Sequence, residues 1–222
     1  MVKYHPDTRF LTDFAAGSLP QSQALCVAAH LHYCPACRAR VTELNDLGAA
    51  LFAAQSPAPV AQDSFDQVIA RLDGLEQAPA EPFADKVATR TGNALPPAIR
   101  KLTRGNLDNL NWRRIGKAFS YSTLRLGDSR RETSLLNIKA GGAIPKHHHR
   151  GDEITVILKG SFSDHEDQYH VGDYLVRTNG ETHSPVASQD EDCLCLSTLD
   201  APIVMNNLFY RMLMPLLNRP TA

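Results

Sequence analysis

The chain contains 222 residues, of which 43% are hydrophobic and 21% charged, and its formal net charge is -1 at pH 7. This composition predicts a globular protein with one large domain or two small ones. The nearly neutral charge gives no electrostatic support for direct binding to nucleic acid. No stretch approaches the roughly 20 apolar residues that a membrane span needs, so we expect no membrane partner.

The cysteine content and the N-terminus indicate where the protein works. The first ten residues, MVKYHPDTRF, contain no apolar signal core, so we expect no export. The five cysteines are an odd number, and two of them fit a metal site better than a disulfide. Together these features favour the reducing cytoplasm.

Three short helices are predicted near the N-terminus, at residues 7–18, 20–32 and about 35–52. Pro35 fits the first turn of the third helix. Apolar residues recur at helical spacing through that helix, namely Val41, Leu44, Leu47 and Leu51.

A candidate metal site lies among these helices. Its four members, called here the N-terminal group, are His5, His30, Cys34 and Cys37. Two imidazoles and two thiols suit a closed tetrahedral Zn²⁺ site that stabilises a fold and leaves no position for a substrate. The alternatives are a buried or free thiol pair beside unrelated histidines, or a redox Cys-x-x-Cys pair, which normally follows a strand. His32 could compete with His30, and Cys26 is expected in the core.

The segment that follows the three helices is rich in breakers. Residues 54–62 interrupt the helical pattern, and an amphipathic helix is predicted at about 63–76. Its wide apolar stripe either packs on its own domain or docks a partner. Residues 77–97 are interpreted as an interdomain linker because of their prolines, which include Pro79, Pro82, Pro96 and Pro97.

From about Trp112 onward the sequence predicts an all-β sandwich or barrel. Short β-rich runs recur between glycine-containing turns, at residues 120–126, 132–138, 153–158, 174–177 and 193–199. Residues 203–217 are predicted to form a packing helix or arm. We therefore expect an α + β multidomain chain with a helical domain at 1–80, a linker at 81–108 and a β domain at 109–222.

A second candidate metal site lies in the β region. This C-terminal group consists of His147, His149, Glu153 and His183. Since side chains alternate along a strand, His147 and His149 point to one face, and the other two can complete the site. Three imidazoles and a carboxylate suit Zn, Fe, Mn or Ni. The alternative for the His147–His148–His149 run is a surface patch.

The spacing of the C-terminal group resembles the two motifs of the cupin superfamily. Gly141, Gly160, Gly172 and Gly180 accompany the ligands, whereas Thr178 and Ala187 stand where the second motif usually has proline and asparagine. The resemblance implies a small double-sheet barrel with a central metal. Cupins include dioxygenases, isomerases and non-enzymatic sensors, so the motif does not identify a reaction.

Both groups together resemble the ChrR family of zinc-binding anti-sigma factors. This resemblance implies that residues 1–80 bind an extracytoplasmic-function sigma factor and keep it from RNA polymerase. It implies that the cupin governs release under oxidative stress, singlet oxygen in particular. It also places zinc ligands on the N-terminal group, metal ligands on the C-terminal group, and a family cysteine pair on Cys193 and Cys195.

Two functions from different classes remain open at this point. The first is a cytoplasmic anti-sigma factor with Zn²⁺ in the N-terminal group, a divalent metal such as Zn²⁺ in the cupin, and possible homo-oligomers through the cupin. The second is a cupin-type metal-dependent oxygenase or isomerase with a helical accessory domain. Cys193 and Cys195 are either core residues of a strand or an oxidant-reactive pair.

Overall fold

The computed structural model describes residues 2–73, 95–127 and 131–205. The chain divides into two compact units, one of Met1–Asp46 with Leu95–Ala222 and one of Leu47–Ala94. The arm expected at 203–217 lies outside the described residues from residue 206 onward, and so do residues 81–94 of the expected linker.

Five helices are described, and four of them correspond to the predicted helices. They are α1 (Thr8–Ala15), α2 (Gln21–Tyr33), α3 (Pro35–Ala53), α4 (Ser64–Asp73) and α5 (Pro97–Leu102). Asp7 caps α1, since its carboxylate accepts a hydrogen bond from the Phe10 N–H at 2.9 Å. Helix α5 was not predicted. It begins inside the expected linker because Pro97 suits a first helical turn.

The β region forms three antiparallel sheets. Its strands are β1 (Arg113–Ile115), β2 (Phe119–Leu124), β3 (Glu132–Ile138), β4 (His147–His148), β5 (Glu153–Lys159), β6 (Ser161–Ser163), β7 (Gln168–His170), β8 (Tyr174–Arg177), β9 (Thr182–His183), β10 (Val186–Ala187), β11 (Cys193–Leu199) and β12 (Val204–Met205). The strand orders are β1-β2-β3-β11-β5-β8, β10-β6-β7 and β12-β4-β9. The five strands predicted from the sequence correspond to β2, β3, β5, β8 and β11.

The large sheet is buried on both faces. Along β5, Ile154, Val156 and Leu158 belong to one apolar core, and Ile157 belongs to another. The first core includes the buried residues of α2, whereas the second lies among the β elements. A strand covered on both faces is expected to be mostly apolar, and the ITVIL run of β5 is apolar except for Thr155.

Helix α2 packs directly on the large sheet, mainly on β5 and β11. Its side chains Cys26, Val27 and Ala29 are completely buried in the core that also contains Val156 and Leu196. The sequence predicted the helices but not this shared core. The division into functional domains at residue 80 stays a prediction, while packing joins the first 46 residues to the β region.

Two candidate metal centres

The N-terminal group is assembled from three separate segments. His5 precedes α1, His30 lies in the last turns of α2, Cys34 follows that helix, and Cys37 lies in the first turn of α3. One potential ligand atom from each residue lies within 4.8 Å of those of the others. Cys34 has an extended backbone (φ -107°, ψ 102°), and this sharp break between α2 and α3 brings the two thiols and His30 together.

Short contacts connect His5, Cys34 and Cys37 within the N-terminal group. His5 Nδ1 lies 3.4 Å from Cys34 Sγ and 3.5 Å from Cys37 Sγ. The backbone N–H of Cys37 donates to Cys34 Sγ at 3.4 Å. Burial and the neighbouring Cys34 thiol raise the pKa of Cys37 to about 12. A metal ion that binds here must therefore displace a proton from Cys37.

His30 is oriented as a metal ligand would be. Its Nδ1–H donates to the carbonyl oxygen of Gly172 at 2.7 Å, so Nε2 carries a lone pair. Nε2 is buried and has no hydrogen-bond partner among the described residues. Burial lowers the pKa of His30 to about 4, which keeps the imidazole neutral near pH 7. An orphaned lone pair beside two thiols is what a bound cation would satisfy, so the donor set fits zinc.

The C-terminal group is assembled from three β elements. His147 and His183 are directly paired between β4 and β9, His149 follows β4, and Glu153 begins β5. All four residues are buried, and their potential ligand atoms also lie within 4.8 Å of one another. His147 and His149 are therefore not part of a surface patch.

Three imidazole nitrogens of the C-terminal group converge. His183 Nε2 lies 2.9 Å from His147 Nε2 and 3.2 Å from His149 Nε2. Glu153 Oε2 lies 3.4 Å from His149 Nε2. The Nδ1–H of His147 donates to the Pro145 carbonyl at 2.9 Å, and the neutral tautomer that makes this bond presents the lone pair of Nε2 to the group. Converging lone pairs beside a carboxylate repel one another unless a cation lies between them, so these residues also fit a metal.

Neighbouring polar groups hold Glu153 and His183 in place. Glu153 Oε1 accepts hydrogen bonds from Ser197 Oγ at 2.6 Å and from Thr155 Oγ1 at 3.1 Å. Burial opposes ionisation of Glu153, but the histidines of the group and Ser197 together hold the pKa of the carboxyl below its usual value. His183 Nδ1 lies 3.4 Å from the fully buried Asp164 carboxylate, and burial lowers the pKa of His183 to about 4.

A cavity of about 100 Å³ adjoins the C-terminal group. Its lining is mainly apolar and includes His147, Glu153 and His183, together with Cys195. The exposed Glu132 also lines it. Glu132 is therefore a further carboxylate at the cavity.

The two cysteines of β11 share one face, as predicted. Their sulfur atoms lie 3.6 Å apart, and both residues are buried. The Cys193 thiol and burial raise the pKa of Cys195. Since the thiolate is the reactive form, these properties favour the interpretation of the pair as core residues.

Comparison with known proteins identifies the family. Residues 101–201 match the family model of the ChrR cupin-like domain. Over 214 residues the chain is 33% identical to the anti-sigma-E factor ChrR of Cereibacter sphaeroides, a match that covers 96% of this chain and 97% of that protein. The chain belongs to the ChrR family of anti-sigma factors.

Solved structures agree with this ChrR-family assignment. A chain in the crystal structure of Rhodobacter sphaeroides SigE in complex with the anti-sigma ChrR matches with a TM-score of 0.75 and 31% identity, over 90% of this chain and 99% of that chain. The polyketide cyclase RemF from Streptomyces resistomycificus matches over 46% of this chain and 84% of its own, with a TM-score of 0.42 and 17% identity. The second likeness bears no information on activity.

Residues 47–73, the described part of the unit Leu47–Ala94 in this ChrR-family chain, expose many large apolar side chains. Along α4, Phe65 is 72% exposed, and three further apolar residues of the same helix are also exposed, namely Val68, Ile69 and Leu72. The end of α3 exposes Leu51 and Phe52. Among the described residues, no residue of α4 is buried, so its predicted apolar stripe is exposed there.

Two other residues that the sequence singled out fall outside both metal groups. Cys26 is in the core, as predicted, and His32 is outside the N-terminal group. The side chain of Asp164 has no exposed surface, and its carboxylate forms an ion pair with Arg177 at 2.8 Å. No helix among the described residues is both long enough and apolar enough to cross a membrane.

Proposed function

We propose that this ChrR-family chain is a cytoplasmic anti-sigma factor that sequesters an extracytoplasmic-function sigma factor through residues 1–80. The observation that carries this proposal is the match over nearly the whole chain to a protein named as an anti-sigma-E factor, and to a chain solved in complex with SigE. The exposed apolar face of α4 supplies a surface that such a partner could cover.

Each metal group has a separate task in this function. Zn²⁺ in the N-terminal group connects the segment before α1 to α2 and α3, and its binding contributes to the folding of these segments. A divalent metal in the C-terminal group, which we assign as Zn²⁺, holds the β elements around the cavity. Its three histidines and Glu153 orient the ion and keep it beside an apolar space where a signal molecule could reach it.

Release of the sigma factor is the response to oxidative stress in this proposal, with singlet oxygen as the first candidate signal. The C-terminal group and its cavity support a sensing role because neither contains a residue of α4. The group proposed to sense the signal is thus separate in the sequence from the surface proposed to bind the sigma factor. We propose these residues as the metal ligands: His5, His30, Cys34 and Cys37 for the first ion, and His147, His149, Glu153 and His183 for the second.

Co-expression with the cognate sigma factor tests the proposal. We expect the two proteins to co-purify and transcription by RNA polymerase from the sigma factor's promoters to fall when the chain is present. A sigma factor that stays fully active beside an excess of folded, metal-loaded chain would contradict it.

A metal-dependent oxygenase or isomerase is the second candidate, and the cavity at the C-terminal group is the observation that favours it. Glu132 is a carboxylate at this cavity that could exchange protons. Steady multiple turnover of a small substrate, lost together with the metal in His147→Ala and His149→Ala, would support this function over the regulatory one.

A further inference from the structure

The N-terminal group touches the β region at one turn. This turn, Val171–Asp173, joins β7 to β8 and is called here the β7–β8 turn. The carbonyl oxygen of Gly172 in this turn accepts the Nδ1–H of His30 at 2.7 Å. His30 is 0% exposed, so no water competes for that bond. The tautomer that leaves Nε2 free for a metal is therefore selected by a residue 142 positions away in the sequence.

Asp173 in the same turn holds the segment that carries His5. Its Oδ1 accepts the backbone N–H groups of Lys3 at 2.7 Å and Tyr4 at 3.0 Å, and its Oδ2 accepts the N–H of His170 at 2.8 Å. The N–H of Tyr174 donates to the Tyr4 carbonyl at 3.0 Å. Asp173 is only 1% exposed, so these charge-assisted bonds are well shielded.

Gly172 also allows the close approach of three segments. It has φ +92°, and a Cβ atom added there would lie 2.7 Å from Tyr33 Cβ and 2.8 Å from Val2 Cγ2. Both distances are too short for carbon atoms. Any side chain at residue 172 would therefore push the β7–β8 turn away from α2 and from the segment before His5.

We propose that Gly172 and Asp173 are positioning residues for the metal of the N-terminal group. The inference rests on the proposed metal in that group. The β7–β8 turn sets the His30 tautomer and fixes the backbone next to His5, so it controls two of the four ligands. Partners of this kind commonly change metal affinity by about 10- to 100-fold when they are lost.

The same turn gives the β region a direct contact with the N-terminal group. Strand β8 begins one residue after Asp173 and ends at Arg177, which binds Asp164 at 2.8 Å. Asp164 in turn contacts His183 of the C-terminal group. Strand β8 thus lies next to a contact with the N-terminal group at its start and next to a contact with the C-terminal group at its end. A displacement of β8 would therefore move the partner of His30 directly, without involving residues 47–94.

Gly172→Ala in the full-length protein tests the proposal, with Gly105→Ala as its matched control. Gly105 has a similar conformation, φ +75°, but a Cβ atom there would meet nothing within 4 Å. The probe is Co²⁺, whose thiolate charge-transfer absorption reports the N-terminal group, because the C-terminal group contains no sulfur. Cys37→Ser confirms the assignment of that band.

We expect the band of Gly172→Ala to decay about tenfold faster than that of Gly105→Ala when a chelator is added. The metal in the C-terminal group should be retained, which separates a positioning role from general unfolding. Equal decay rates in the two variants would overturn the proposal.

Asp173→Asn, compared with Asp190→Asn on an exposed turn, gives an independent test that introduces no steric clash at Gly172. In the amide, a nitrogen replaces one of the two carboxylate oxygens and can no longer accept a hydrogen bond. The thiolate band should therefore decay faster in Asp173→Asn than in Asp190→Asn. Equal decay rates would contradict the role of Asp173. If the wild-type protein showed no thiolate band, the metal assignment itself would be wrong, and this outcome is distinct from equal decay rates in a variant and its control.

Discussion

His30 and Cys37 illustrate how burial prepares a metal site. Burial keeps His30 neutral, with its pKa lowered to about 4, and keeps Cys37 protonated, with its pKa raised to about 12. The imidazole is therefore ready to bind, whereas the thiol must lose a proton to the solvent. A soft cation that binds thiolates tightly can overcome that cost, and a hard cation cannot.

Replacing Cys37 with serine should remove the ion from the N-terminal group. Serine is a poor zinc ligand, and the three segments would lose the bond that connects them. We expect metal analysis to show one ion fewer per chain, and sigma-factor binding to be lost. Cys26→Ala is the control, because Cys26 is a buried cysteine outside the group. A Cys37→Ser protein that still bound the sigma factor would show that this metal is dispensable.

Replacing His147 and His149 together with alanine should affect release and not inhibition. These residues belong to the C-terminal group, and neither contributes to the exposed face of α4. We expect unchanged binding of the sigma factor and a blunted response to singlet oxygen, measured by transcription from a sigma-dependent promoter. His165→Ala, at an exposed histidine, serves as the control. A normal response in the double variant would remove the C-terminal group from the signalling step.

The sequence predicted both metal groups because ligand type and spacing are local properties. His30, Cys34 and Cys37 lie within eight positions, and His147, His149 and Glu153 within seven. The residues that orient these ligands were not predictable in the same way. Gly172 and Asp164 act through contacts with distant parts of the chain, and no local pattern identifies a buried aspartate in a polar turn.

At the scale of elements, periodicity predicted the long strands and the four main helices. The two- and three-residue strands, such as β4 and β9, were missed because they are too short to show alternation. Two of the proposed ligands, His147 and His183, lie on these short strands. Helix α5 was missed because its prolines were interpreted as breakers, although one of them begins the helix.

The apolar face of α4 leads to a direct prediction. Phe65→Ser and Leu72→Ser remove exposed side chains, so they should leave the fold intact while weakening binding of the sigma factor. If these residues are central to the interface, each substitution should cost about 2 kcal/mol, or roughly thirtyfold in affinity. Gln67→Ala, which removes a polar side chain from the same helix, is the control. Unchanged affinity in both serine variants, measured by calorimetry, would place the interface elsewhere.

At the scale of the whole molecule, the shared core of α2 and the large sheet limits how independent the two predicted domains are. Cys26, Val27 and Ala29 are fully buried against the β region. In an isolated N-terminal fragment they would face water, and burial of their apolar surface would no longer contribute to stability.

A fragment of residues 1–85 tests inhibition without the β region. We expect it to bind and inhibit the sigma factor, since it retains the N-terminal group and α4, but not to release it under oxidant. We also expect its thermal midpoint to be lower than that of the full chain, measured by circular dichroism. A fragment that is folded but cannot bind would show that the β region contributes to the interface.

A binding titration tests most directly whether the metal-loaded chain sequesters a sigma factor. The purified full-length chain is titrated with its cognate sigma factor in a calorimeter, once as purified and once after a chelator has removed the metal. We predict a tight complex that excludes the core polymerase in the first case and greatly weakened binding in the second. The absence of any complex with the metal-loaded chain would contradict the account.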